Sequence, residues 1–118
     1  MIQSIAFTVY PVKDVAKARK FYEEVLGLKM THNWSDQWVE YDLGDTTFAI
    51  TTMSHDHVAG ANGATIAFEV ADFDRAMALL KQRGAKFKGD VMDSPVCRAA
   101  TVLDPDGNEV IIHKRKAG

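Results

Sequence analysis

One pattern occurs twice along this chain. Val12-x-Asp14-Val15-x-Lys17-Ala18 recurs as Val70-x-Asp72-Phe73-x-Arg75-Ala76, 58 residues further on. Upstream, Ser4-Ile5-Ala6-Phe7-x-Val9 recurs as Thr65-Ile66-Ala67-Phe68-x-Val70, 61 residues further on. Downstream, Asp42-Leu43-Gly44 and Phe48-Ala49-Ile50-Thr51 can be laid over Asp104-Pro105-Asp106-Gly107 and Val110-Ile111-Ile112-His113. Small insertions explain the drift in spacing. Self-similarity of this extent marks one supersecondary unit duplicated within the chain. It also predicts where a site lies, in the concavity where two half-sites meet.

Each copy reads as βαβββ. Residues 3–10 predict a strand broken by Pro11. Asp14 is a good helix N-cap, and Val15, Ala18, Phe21, Tyr22 and Val25 recur at helical spacing up to Gly27, a C-terminal stop. Strands follow near Lys29–Trp34, Trp38–Leu43 and Thr46–Thr52. In the second copy the strand ends at Val70, Asp72 caps a helix with Phe73, Ala76, Met77 and Leu80 on one face, and Gly84 stops it. Strands follow near Lys86–Met92, Val96–Leu103 and Glu109–Lys114, with the turn Asp104-Pro105-Asp106-Gly107-Asn108 before the last. The chain therefore divides into module one (1–53), a polar linker (54–63) and module two (64–118). Helices Asp14–Leu26 and Asp72–Arg83 should cover the convex faces and bury Phe21, Val25, Met77 and Leu80.

Charge excludes several functions. A formal net charge of −2 over 118 residues offers no basic footprint for nucleic acid or an anionic membrane. No apolar run approaches a membrane span, and the N-terminus has no signal-peptide pattern. The lone Cys97 cannot form an internal disulfide and suits a reducing cytoplasm. Edge strands left by two half-sheets need covering, which predicts a homodimer.

Three segments carry a family likeness: Val12-Lys13-Asp14-Val15, Lys20-Phe21-Tyr22-Glu23-Glu24-Val25-Leu26-Gly27-Leu28, and Asp104-Pro105-Asp106-Gly107-Asn108 before the final strand. With the paired βαβββ pattern they resemble the vicinal-oxygen-chelate superfamily of glyoxalase I, extradiol dioxygenases and bleomycin-resistance proteins. The resemblance implies an α+β fold of two tandem βαβββ modules, forming curved mixed sheets around a central cleft. It also supports the homodimer. Metal-dependent members carry His, Gln or Glu ligands on the first and last strands of each module. Carried over, those positions fall on Ser4 or Phe7, Ala49, Thr65 and Ile111, depending in the first case on how the strand is counted. None is a His, Glu or Asp, so the inherited metal is expected to be absent and no cofactor is expected. Glu69, Glu109 and His113 are the nearby donors in module two, too few for a tight site.

Without a metal the walls must do the work. Strand alternation in Gln37-Trp38-Val39-Glu40-Tyr41 sends Val39 and Tyr41 toward the helix and leaves Trp38 and Glu40 on the concave side. A carboxyl group desolvated beside an indole gains the proton affinity that a general acid or base needs, which makes Glu40 the catalytic candidate. The plain alternative pairs Glu40 with Arg98 or Lys29 at a solvated edge. Trp38, Glu40, Phe7, Ala49, Thr65, Ile111 and His113 form the expected lining for a small-molecule ligand. Cys97 reads as a buried, inert thiol, with Arg98 on the opposite strand face. His55-Asp56-His57 lies in the linker and His32 beside a turn, and both have a bland reading as solvated polar residues.

Three functions are compatible with this: a metal-independent binder that stacks a planar or amphipathic ligand on Trp34 and Trp38; a glyoxalase-like lyase or isomerase with shifted ligands or a Glu40 acid/base; and a domain for assembly or regulation.

Overall fold

A computed structural model describes residues 1, 3–53, 58–60 and 65–116. The chain forms two compact units, Met1–Gly60 and Ala61–Gly118, each described here by itself. The order in unit one is β1 (Phe7–Pro11), α1 (Val15–Arg19) continuing as a π-helical stretch (Lys20–Val25), β2 (His32–Trp34), β3 (Trp38–Asp42) and β4 (Thr47–Thr51). Unit two runs β5 (Ile66–Glu69), α2 (Phe73–Gln82), β6 (Lys86–Asp93), β7 (Cys97–Leu103) and β8 (Glu109–Arg115). The architecture is α+β, two tandem modules each with one helix and a four-stranded mixed sheet. Strand orders are β1-β4-β3-β2 and β5-β8-β7-β6, with the outer pairs β1–β4 and β5–β8 parallel and the rest antiparallel.

Each helix starts where its aspartate can satisfy an orphan amide. Asp14 accepts from the Lys17 N–H and Asp72 from the Arg75 N–H, both at 3.1 Å. Each ends at a glycine in the left-handed region, Gly27 (φ 78°) and Gly84 (φ 77°), a conformation that costs glycine little. The two helices differ by one residue between cap and stop, and the π-helical stretch absorbs the insertion. Leu26 N–H donates to Phe21 O, five residues back, where Arg83 N–H donates to Leu79 O, four back.

Packing under the helices follows the alternation of the strands. In module one Tyr22, Val39, Tyr41, Phe48 and Ile50 are almost fully buried beside Val15, Ala18 and Phe21. In module two Phe73, Met77 and Leu80 meet the side of the sheet carrying Ala100, Val102, Val110 and Ile112. Val25 is only half-buried, contrary to expectation. The wider π turn rotates it off the apolar stripe, and Tyr22 is fully buried instead.

The first two strands depart most from the expected limits. The first strand starts at Phe7 and keeps Pro11, because β1 is an edge strand and one missing N–H is tolerated there. The second strand shortens to His32–Trp34. Before β8, the Asp104 carboxylate accepts from the N–H groups of Asp106 (2.9 Å) and Asn108 (2.8 Å) and from Asn108 Nδ2 (2.8 Å), which fixes the turn.

Candidate functional site

The strand register decides which residues share a face. In module one Trp38 lies opposite Thr51, Glu40 opposite Ala49, and Val9 opposite Ala49 from the other side. His32 and Trp34 on β2 lie opposite Glu40 and Trp38. Phe7, Val9, Trp38, Glu40, Ala49 and Thr51 therefore stand on the sheet face away from the helix, joined by His32 and Trp34 at the edge. Phe7 meets Trp38 edge-to-face, with centroids 5.5 Å apart at 87°. His32 stacks on Trp34 at 5.1 Å. The Trp38 indole N–H donates to Glu40 Oε2 at 2.9 Å, Lys29 of the same module forms no ion pair with it, and Arg98 pairs with Asp74 within its own module.

This face combines a closed floor with open walls. Ala49 is fully buried and Thr51 nearly so, whereas Phe7 is 48 % and Trp34 53 % exposed. Aromatic rings half open to solvent above a small apolar floor give a surface on which a flat molecule can stack.

The corresponding face of module two is ionic. Glu69 on β5 lies opposite His113 on β8, and its Oε1 meets His113 Nδ1 at 2.5 Å while Oε2 accepts from the Arg115 N–H at 2.7 Å. The Arg115 amide and then the His113 ring hold the Glu69 carboxyl below its ordinary range. Lys88 Nζ donates to Glu109 at 2.8 Å. Ile111 shares this face with Thr101 and Ala67, and Thr65 is exposed just ahead of β5. Cys97 is half-buried, not buried as expected, with its Sγ 3.7 Å from Ser94 Oγ. Arg98 does point away from it, over the Phe73 ring at 4.4 Å, with Nη1 3.1 Å from Asp74. His55 and His57 lie outside the described residues.

Register also shows which residues of the two first strands correspond. Val9 opposite Ala49 in module one matches Ala67 opposite Ile111 in module two. The strands thus correspond at the same spacing as the helix caps, and Phe7 corresponds to Thr65. The Ala-Phe match at 61 residues would lay Phe7 on Phe68, which sits opposite Ile112 on the helix side. A shift of odd length exchanges the two faces of a strand.

The positions onto which the family resemblance carries its metal ligands are Phe7 and Ala49 in module one and Thr65 and Ile111 in module two, each taken by itself. One hydroxyl among hydrocarbon does not fit a divalent ion, which needs several nitrogen or charged oxygen donors. Among the described residues no three His, Cys, Asp or Glu side chains come together as such an ion requires.

Beneath α1 lies a polar network not anticipated from the sequence. Glu23 receives Arg19 Nε at 2.6 Å and Nη2 at 3.2 Å, and the buried Tyr41 hydroxyl donates to Glu23 Oε2 at 2.9 Å. Arg19 holds the Glu23 carboxyl low, and burial, reinforced by Glu23, pushes the Tyr41 phenol up. The i,i+4 spacing of Arg19 and Glu23 was the available signal.

No helix among the described residues is long and apolar enough to cross a membrane. The family model for the Glyoxalase/Bleomycin resistance protein/Dioxygenase superfamily matches residues 4–112. Among solved structures, TnmS3, an antibiotic binding protein from Streptomyces sp. CB03234, is 25% identical with a TM-score of 0.84, covering 98% of each chain. A glyoxalase/bleomycin resistance protein from the same Streptomyces strain is 27% identical with a TM-score of 0.74, covering 96% of this chain and all of the other. A lactoylglutathione lyase from Agrobacterium tumefaciens, 17% identical with a TM-score of 0.78 over 97% of this chain and 95% of the other, shares the fold. No curated protein matches the sequence.

Proposed function

The chain belongs to the glyoxalase/bleomycin resistance protein/dioxygenase superfamily, and we propose that within it the chain binds a small organic molecule without a metal, on the face of the first sheet opposite its helix. The observation that carries this reading is the composition of that face. Where a metal-dependent relative needs ligands, Phe7 and Ala49 supply an aromatic wall and an apolar floor. Trp38 and Trp34 extend the wall, and Glu40 is the polar group that orients a ligand. That a solved structure of the same fold is an antibiotic binding protein supports a small-molecule ligand.

A lyase or isomerase with Glu40 as acid/base has less support. Glu40 is engaged with Trp38, and no second acid or base among the described residues touches it. Assembly as the main role gives no reason for half-exposed rings gathered around a carboxylate. A homodimer and a cytoplasmic location complete the proposal. The edge strands β2 and β6 are exposed, β6 with Val91 and Met92, and the single Cys97 needs no oxidising compartment. Light scattering should return twice the 13.1 kDa chain mass.

The test is a thermal-shift screen of planar organic compounds, with elemental analysis of the same preparation. A ligand at a hundred times its dissociation constant should add about 2.7 kcal/mol to stability. Trp38→Ala should abolish that gain while remaining folded by circular dichroism. One Zn, Ni, Mn or Fe per chain would contradict metal independence and put the lyase first.

A further inference from the structure

Resting on the binding reading above, we infer that the ligand carries a positive charge on a planar ring system, as a cationic heteroaromatic or an aromatic amine does. Glu40 is half-buried, and its carboxylate meets one polar group, the Trp38 indole N–H. Among the described residues of its own unit no Lys, Arg or His reaches it within ion-pair distance. Three other strand carboxylates are matched, Glu69 with His113 at 2.5 Å, Glu109 with Lys88 at 2.8 Å and Asp93 with Lys116 at 2.5 Å, while Asp42 and Asp90, which have no such partner, are exposed to water. His32 stands opposite Glu40, yet its ring stacks on Trp34. None of the strand residues sharing this face is Lys or Arg.

A carboxylate withdrawn partly from water without a counter-ion is costly unless something supplies the opposite charge. The indole N–H occupies Oε2 and leaves Oε1 available. Phe7, Trp38 and Trp34 add the electron-rich faces that attract a cation above a ring. A neutral ring of the same shape gains the stacking alone, and an anionic one is repelled by Glu40. Charge and aromatic surface therefore select the same ligand class.

The test uses two probes of matched fused-ring shape, the fixed cation N-methylacridinium and the neutral N-methylacridone. Each is titrated calorimetrically into the wild-type chain, Glu40→Gln and Trp38→Ala. The cation should bind wild type about tenfold more tightly than the neutral probe. Glu40→Gln keeps an acceptor for the Trp38 N–H and removes the charge, so it should narrow the gap to what the rings alone supply. Equal affinities in wild type, or a preference undiminished in Glu40→Gln, would overturn the charge inference and leave the binding face standing. Binding of neither probe, or binding indifferent to Trp38→Ala, would remove the binding face itself and the inference with it.

Discussion

Under its helix, module one places Arg19 and Tyr41 where module two places Met77 and Val102, and adds Glu23 from the turn that the extra residue widens. The correspondence follows from the matched caps and glycine stops on the helices and from the strand register. On the opposite face, Phe7, Trp38 and Glu40 stand where module two has Thr65, Ala99 and Thr101. One chain path thus supports two chemistries. Module one holds a partly buried polar network under its helix and shows aromatic rings, whereas module two is apolar within and carries ion pairs outside. The duplicated backbone fixes where side chains point, and the residue types decide which copy can hold an organic ligand.

The comparison can be broken first where the cores differ. Leu80→Ala removes a buried side chain from an apolar stripe and should destabilise by about 2–5 kcal/mol in urea unfolding, the span seen for such truncations. Glu23→Ala strands the buried Tyr41 hydroxyl and should cost about 1–3 kcal/mol by the same measurement. Replacing the network whole with apolar residues, Arg19→Met, Glu23→Leu and Tyr41→Phe together, should stay within about 1 kcal/mol of wild type, because no partner is left unpaired. A triple variant as damaged as Glu23→Ala would mean that the network does more than fill space.

Acidity sharpens the contrast within module one. Arg19 holds Glu23 below its ordinary value of 4.5 in the folded state, so its contribution is complete above that value. It is lost as pH falls through the lowered folded value. Wild type should lose stability below pH 4.5 more steeply than the triple variant. The smallest effect belongs to module two, where Lys88→Ala breaks a largely exposed pair with Glu109 and should cost less than about 1 kcal/mol.

Much of this contrast could be read from the sequence, because it depends on local periodicity. Asp14 and Asp72 announce capped helices, and the alternation of Trp38, Val39, Glu40 and Tyr41 sorts those four onto their faces. What escaped depends on pairing between distant strands. The sequence match at Ala6-Phe7 favoured a spacing that the β1–β4 register rejects. The Glu69–His113 pair needed the parallel register of β5 on β8, and the stacking of Arg98 on Phe73 needed the helix laid on its sheet. The one-residue insertion in α1 was visible as a difference in cap-to-glycine length, but its resolution as a π-helical stretch, with Val25 turned half outward, comes from packing.

The aromatic face as the binding face is tested most directly by its two indole N–H resonances, since Trp34 and Trp38 are the only tryptophans in the chain. A titration with N-methylacridinium followed in nitrogen–proton correlation spectra should move the Trp38 Nε1–H signal most, with backbone shifts at Phe7 and Ala49. Shifts confined to Ile111 and His113, with both indole signals unmoved, would place the ligand on module two and contradict the assignment.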